Sequence, residues 1–317
     1  MDLSPLLEAA RRAADLCSTV QETMLLASHK IGAEPVTVAD YGSQALICEA
    51  ISRAFPGDAV MAEESGAQFL SLVAHDARAA VTGLIGEALG RTVTESEVVG
   101  WLDYGKDTTA HRVWVIDPID GTKGFLAKRH YAIAIGILED GEITGGVMAC
   151  PGYPGIDGGA MFWAQDGVAS MQAMSGGDVR QIHVTATTAS DQVRALESVE
   201  KSHAGFEQMA AARQAAGLGD AKIEQIDSME KYARIAAGDA ELYLRLPRQG
   251  STRPHSTWDH AAGAALVLAA GGMLSDVDGS PIDFSKGRAL PNEGIIVTNG
   301  AIHAQIIDGV MRSLGRG

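Results

Sequence analysis

The segment Val113-Trp114-Val115-Ile116-Asp117-Pro118-Ile119-Asp120-Gly121-Thr122-Lys123-Gly124-Phe125 constrains this chain more than any other. Its first four residues read as a buried strand, and the run ends in two carboxylates three positions apart. Proline fixes its own φ and cannot donate to a sheet ladder, while Gly121 lets the chain turn sharply and come close to a ligand. The strand is therefore expected to stop here and to aim Asp117 and Asp120 at one point. Two such anions repel unless a hard cation neutralises them, and Mg²⁺ favours carboxylate oxygens together with substrate phosphate. An Asx turn with a helix cap accounts for the same spacing, and the segment alone leaves both readings open.

Three other acidic positions read in the same way. Ala59-Val60-Met61 predicts a strand that runs into Glu63-Glu64-Ser65-Gly66, so Glu63 is a second candidate ligand; a solvated acidic turn is the alternative. Trp258-Asp259-His260 precedes an Ala-rich helix that ends at Gly271-Gly272. Capping explains Asp259 there, and so does a helix start whose small residues let its backbone approach a metal site. His260 reads as packing or a local hydrogen bond. The β-branched stretch 36–39 predicts a short strand, which puts Asp40 at a strand-to-helix junction before a helix over 45–55. Asp40 as an N-cap and Thr122 as a turn residue are reasonable singly. Four acidic turns at strand ends argue jointly for a metal site.

Around these motifs the chain alternates in type. Leu6, Ala9, Ala13, Leu16, Cys17, Val20 and Met24 recur at helical spacing and predict an opening amphipathic helix. Residues 72–108 are expected to be helix and loop. Short apolar runs at 113–116, 131–138, 143–149 and 161–164, parted by Gly, Pro and Asp, predict an antiparallel meander. From about 180, segments 222–226, 228–237, 241–246, 259–270, 294–298 and 301–313 alternate between strand and helix. The expected class is α/β, with an α+β domain over 1–180 and an α/β domain over 181–317.

Composition narrows the partners. The 317 residues carry a formal net charge of −15, which repels a nucleic-acid polymer but permits a small anion where bound cations invert the local field. The three cysteines, Cys17, Cys48 and Cys150, have no metal-ligand spacing and suit a reducing, cytoplasmic setting. The opening MDLSPLLEAARRAADL lacks the basic-then-apolar pattern of a signal peptide. The most apolar run, 261–274, is short of the roughly 20 residues that a membrane span needs. A soluble protein is expected. Nothing in the sequence indicates its oligomeric state.

Taken together, the order Asp40, Glu63-Glu64, Asp117-Pro-Ile-Asp120-Gly-Thr122, Trp258-Asp259 resembles the inositol monophosphatase-like superfamily of metal-dependent, lithium-sensitive phosphatases. The finer pattern 117–126, Asp-Pro-Ile-Asp-Gly-Thr-Lys-Gly-Phe-Leu, is similar to the 3′(2′),5′-bisphosphate nucleotidase branch, with Lys123-Gly124 as the discriminating pair. So are Ser198 to His203, Asp227 to Tyr232 and Leu242 to Pro247. The resemblance implies a layered αβαβα sugar-phosphatase fold with the site in the cleft between two domains. It further implies that Glu63, Asp117, Asp120, Asp259 and the carbonyl of Ile119 bind two or three Mg²⁺ ions, with Mn²⁺ an alternative.

By the same resemblance, Asp40 and Thr122 form a pair that activates water. Asp120, Gly121, Thr122 and Asp259 would also meet the substrate, and His203, Ser228, Lys231 and Arg245 would contact the nucleotide and its 5′-phosphate. A lysine point charge and an arginine fork both suit phosphate oxygens. Met229-Glu230 departs from the branch, and an extra acid beside a phosphate pocket is expected to weaken or retune binding. The implied reaction is adenosine 3′,5′-bisphosphate plus water giving AMP and phosphate, with the sulfated analogue a second substrate. An inositol monophosphatase or fructose-1,6-bisphosphatase shares the metal ligands, and a metal- and nucleotide-binding sensor without turnover is the reading from another class. Residues 248–257 have no assignment.

Overall fold

The computed structural model describes residues 1–23, 35–199, 205–247 and 254–316. Two helices come first, α1 (Ser4–Thr23) and α2 (Pro35–Ala54), followed by β1 (Ala59–Ala62) and helices α3 (Gly66–Leu72), α4 (His75–Leu89) and α5 (Glu95–Leu102). Next are β2 (Arg112–Asp120), the short α6 (Thr122–Leu126), β3 (Ala132–Glu139), β4 (Glu142–Cys150), β5 (Ala160–Gln165), β6 (Val168–Ala173) and β7 (Arg180–Gln181). The later part holds β8 (Arg194–Glu197), α7 (Phe206–Ala215), β9 (Lys222–Gln225), α8 (Glu230–Ala236), β10 (Leu242–Arg245) and β11 (His255–Ser256). It closes with α9 (Ala261–Ala269), β12 (Met273–Ser275), β13 (Ala289–Leu290), β14 (Ile295–Thr298) and α10 (His303–Ser313).

Strands β1 to β7 pair in sequence order, antiparallel throughout except for β1 beside β2, so the expected meander is present and runs two strands further. The second sheet has the order β12-β14-β10-β8-β9, with β8 parallel to both its neighbours. Strand β3 shows why helices stack on both faces of the first sheet. Ile133, Ile135 and Ile137 face the core shared with α1 and α2, whereas Ala132 and Ala134 face the core shared with α8 and α9. The second sheet repeats the arrangement: Leu196, Tyr243, Ile295 and Val297 face α8 and α9, and Ala195, Leu242, Leu244 and Ile296 face α7 and α10. The result is five layers, αβαβα.

The small-residue face of β3 and β4 brings α9 unusually close. A Cβ on Gly136 would sit 2.6 Å from Ala261 Cβ, and one on Gly146 would sit 3.1 Å from Ala262 Cα. On the far side of the helix, a Cβ on Gly263 would enter the Tyr232 ring. Backbone therefore meets backbone where larger residues would hold the layers apart.

Two sequence expectations need correction. Residues 36–39 are not a strand: α2 starts at Pro35 and carries Asp40 within it. Proline suits the first helical position, and complete burial of Val38 and Ala39 outweighs the β preference of branched side chains. Pro118 does not stop its strand either, because β2 runs on to Asp120. Among the described residues no helix is long and apolar enough to cross a membrane. Met24, at the end of the predicted first helix, lies outside the described residues.

Packing of this tightness gives a paired prediction. Gly136→Val should lower the unfolding free energy by about 1–3 kcal/mol through overpacking against α9. Gly83→Ala, in the interior of α4 with open space around it, should raise it by about 1 kcal/mol. Urea midpoints at constant m-value check both.

Candidate active site

A register shift in β2 builds the centre of the site. Asp117 pairs with Ala134 and Asp120 with Ala132, so the two residues between the acids on β2 face one residue on β3. Side chains three apart on a regular strand point to opposite faces, and one extra residue restores them to the same side. The missing proline N–H makes Pro118 a natural place for the irregularity. Helix α2 braces it, since Ser43 Oγ donates to the Pro118 carbonyl at 2.9 Å.

Asp117 is 3% exposed, and its Oδ1 has no hydrogen-bond partner. Burial, followed by the charges of Asp120, Glu63, Asp259 and Asp40, pushes its carboxyl well above the usual carboxylate range. For Asp120, burial and Asp259 raise the carboxyl to about 6 against the pull of Lys231, the Met229 amide and Arg245. Glu63 follows β1 with its amide on the Ile116 carbonyl at 3.3 Å. Glu63 is exposed, yet partial loss of water, followed by the charges of Glu64, Asp259 and Asp120, lifts it to about 7. Asp40 is likewise raised, by burial and then by Glu63 and Glu64.

Asp259 lies in the turn before α9. The N-cap of that helix is His260, which makes no side-chain capping bond, so capping does not account for Asp259. Asp259 Oδ2 accepts from Arg245 Nη1 at 3.4 Å. The close seating of α9 on Gly136 and Gly146 carries Asp259 to the acids of the first sheet, which feel its charge.

Gly121 is left-handed (φ 87°), and a Cβ there would lie 2.7 Å from Ser228 Cβ. Ser228 is itself left-handed (φ 73°), and the following amide, Met229 N, donates to the Asp120 carboxylate. Gly124 is equally constrained, because a Cβ would run into the His130 carbonyl. The Lys123-Gly124 pair thus has a steric reason for its glycine. Thr122 is exposed, and its hydroxyl donates to the Ile119 carbonyl at 3.4 Å; among the described residues no hydrogen bond joins it to Asp40, the expected partner.

The expected nucleotide contacts divide. Ser228 adjoins Gly121, and Arg245 reaches Asp259. Lys231 is buried and donates to carbonyls. His203 lies outside the described residues, as do 248–253 of the unassigned segment. Glu230, the departure from the branch, is fully buried and bonds His130 Nδ1 at 2.9 Å. Sequence reasoning also missed three positioning side chains. Ser43 is one, and Gln44 clamps Glu64 at both its amide (2.9 Å) and carbonyl (2.8 Å). Arg288 stacks over Trp258, 4.5 Å from the ring centroid, and donates to the Glu63 carbonyl at 3.5 Å. A helical spacing of polar residues facing the acids could have flagged the first two.

Among the described residues no three His, Cys, Asp or Glu side chains already form a metal cage. The donor set nevertheless fits a hard divalent cation: Asp117, Asp120 and Glu63 are raised by burial and then by the charge of neighbouring acids, and Asp117 Oδ1 is buried without a partner.

Known proteins share this chain's sequence pattern and fold. The model of the inositol monophosphatase family matches residues 2–313. A 3′(2′),5′-bisphosphate nucleotidase of Oryza sativa is 33% identical over 99% of this chain and 94% of that protein. One of Emericella nidulans is 34% identical over 88% of each. Among solved structures, an IMPase of Thermotoga maritima superposes with a TM-score of 0.66 at 18% identity, covering 98% of this chain and 96% of its own. An inositol monophosphatase from Anabaena gives 0.60 at 21% identity, covering 98% and 97%. These two likenesses are of fold alone. The family match along almost the whole length, together with the acids gathered at the β2 bulge, leads to one statement of kinship: the chain belongs to the inositol monophosphatase family.

Proposed function

We propose that this protein is a Mg²⁺-dependent phosphatase that removes the 3′-phosphate of adenosine 3′,5′-bisphosphate, giving AMP and inorganic phosphate, with the sulfated analogue as a second substrate. The observation that carries the reading is the meeting of the β2 acids with Asp259 on one side and with the Ser228 turn on the other. Full-length relatives named as bisphosphate nucleotidases support the substrate class. The work is divided between halves 1–180 and 181–317, in a reducing cytoplasmic compartment that suits the three buried free thiols.

In this reading Glu63, Asp117, Asp120, Asp259 and the Ile119 carbonyl hold two or three Mg²⁺ ions, and Mn²⁺ suits the same oxygen set. Bound divalent cations supply Lewis-acid polarisation of the phosphoryl group and make water more acidic. The side chains do the rest. Asp40, whose carboxyl is raised by burial and then by Glu63 and Glu64, accepts the proton of the attacking water, and the exposed Thr122 hydroxyl orients that water. Gly121 leaves the backbone open to phosphoryl oxygens. Arg245 and His203 meet the nucleotide with Ser228, and Lys231 stands behind Ser228.

The direct test is phosphate release with Mg²⁺ from three compounds side by side. Adenosine 3′,5′-bisphosphate should be preferred about tenfold or more in kcat/KM over inositol 1-phosphate and fructose 1,6-bisphosphate. Li⁺ should slow release, and Asp120→Asn should reduce it about a hundredfold or more. Preference for either sugar phosphate overturns the substrate, and no release from any of them overturns the enzyme reading.

A second prediction follows from the raised carboxyl of Asp117. Its folded form holds a proton that the unfolded chain has already lost, so it costs stability as pH rises above the ordinary carboxylate range. Asparagine carries no such proton. Without metal at pH 8, Asp117→Asn should therefore melt about 2–4 °C above the parent, with the gap narrowing towards pH 5. Saturating Mg²⁺ should raise the parent's midpoint and leave the variant's nearly unchanged. Thermal scans across pH read both effects.

A further inference from the structure

Two consecutive residues of the loop after α6 reach across to the turn that carries Ser228. Arg129 Nη2 donates to Asp227 Oδ2 at 3.0 Å, and His130 Nδ1 lies 2.9 Å from Glu230 Oε2. The basic side chains are partly exposed, whereas both carboxylates are buried. A buried carboxylate parted from its partner is costly, so each bond fixes where one end of the turn stands. The bond to Glu230 also raises the His130 ring above its usual value against the effect of burial, which favours the imidazolium as donor.

These four residues flank the contact between two walls of the site. Gly121 leads into α6, and a Cβ there would lie 2.7 Å from Ser228 Cβ. Three residues on, a Cβ on Gly124 would lie 3.3 Å from Asp227 Cβ and would run into the His130 carbonyl. Behind the loop, a Cβ on Gly152 would lie 3.3 Å from the Arg129 carbonyl and 3.4 Å from His130 Nδ1. Between the two tied ends, Ser228 holds φ 73°, a left-handed conformation that L-residues enter only at a cost, and its Oγ accepts from the Glu230 amide at 3.2 Å. Loop, α6 and turn are thus fitted backbone to backbone, with one charged tie on either side of the strained residue.

We propose that Arg129 and His130 are positioning residues: by clamping Asp227 and Glu230 at the two ends of the turn, they set how closely Ser228 stands to Gly121, and with it the grip on the nucleotide. The proposal rests on the nucleotidase reading for its substrate.

The test uses three variants. His130→Leu combined with Glu230→Met removes one tie and leaves no buried charge alone, so the fold is expected to survive it. Losing the Glu230 charge would by itself favour an anion, so a weaker grip in this protein reports the lost tie. The clamp predicts that KM for adenosine 3′,5′-bisphosphate rises about tenfold while kcat stays within about threefold, because the acids that hold the metal are untouched. Hydrogen exchange at the Met229 amide should quicken about tenfold, with the amides of β3 unchanged. His130→Gln keeps a neutral N–H donor for Glu230 and should hold both KM and exchange within about threefold of the parent. Arg129→Ala also removes a positive charge near an anion site, so it is read by exchange alone, and Met229 should again quicken about tenfold. A parent-like KM in the double variant overturns the proposal, as does parent-like Met229 exchange in it or in Arg129→Ala. Equal quickening at Met229 and in β3 overturns it too, since that marks a general loss of stability. If the parent hydrolyses no nucleotide, the functional reading fails, and Met229 exchange then decides the clamp by itself.

Discussion

The contact on which the rest of the site depends is the seating of α9 on the glycine and alanine face of β3 and β4. Ala261 and Ala262 meet Gly136 and Gly146 at distances that exclude any larger side chain, and Gly263 lies against Tyr232. Helices normally pack 8–10 Å apart with side chains between them, roughly the spacing that larger residues set. Here the small residues remove that spacer, and the turn that begins the helix brings Asp259 within electrostatic reach of Asp117, Asp120 and Glu63. The seam is both the packing of the central layer and the means by which two sheets share one cluster of acids.

Gathering carboxylates in a poorly hydrated place has an energetic consequence that the other local features answer. Asp117, Asp120 and Glu63 are each raised by loss of water and then by neighbouring acids, while Lys231, the Met229 amide and Arg245 pull Asp120 down and Arg288 pulls Glu63 down. Side chains of α2 then fix where the charges stand: Ser43 holds the bulge at Pro118, and Gln44 clamps Glu64. Bound divalent cations would offset that repulsion and give the buried Asp117 Oδ1 the partner it lacks.

Much of this was legible in the sequence, and the failures have identifiable causes. The acids, the meander, the alternation after residue 180 and the closeness of an Ala/Gly helix to the site all follow from local pattern. Asp40 was placed at a strand end because Val36, Thr37 and Val38 favour strands locally; α2 runs through that segment instead, with Val38 and Ala39 buried in the core shared with α1. The shared side of Asp117 and Asp120 depends on a bulge, and three-residue spacing alone predicts opposite faces. Nothing local to Glu230 shows that His130, a hundred residues earlier, bonds its carboxylate. The motif around Lys231 likewise gives no sign that its ammonium donates to the Ile226 and Ser228 carbonyls.

The most direct measurement is calorimetric titration of Mg²⁺ into the parent and into Gly136→Val at pH 6.5, in two buffers of different ionisation heat. If α9 assembles the acid cluster, the parent releases about one proton or more on binding, as raised carboxylates give way to the cation, and the variant binds about tenfold more weakly with less release. Equal affinity and equal proton release in the two proteins would contradict the account.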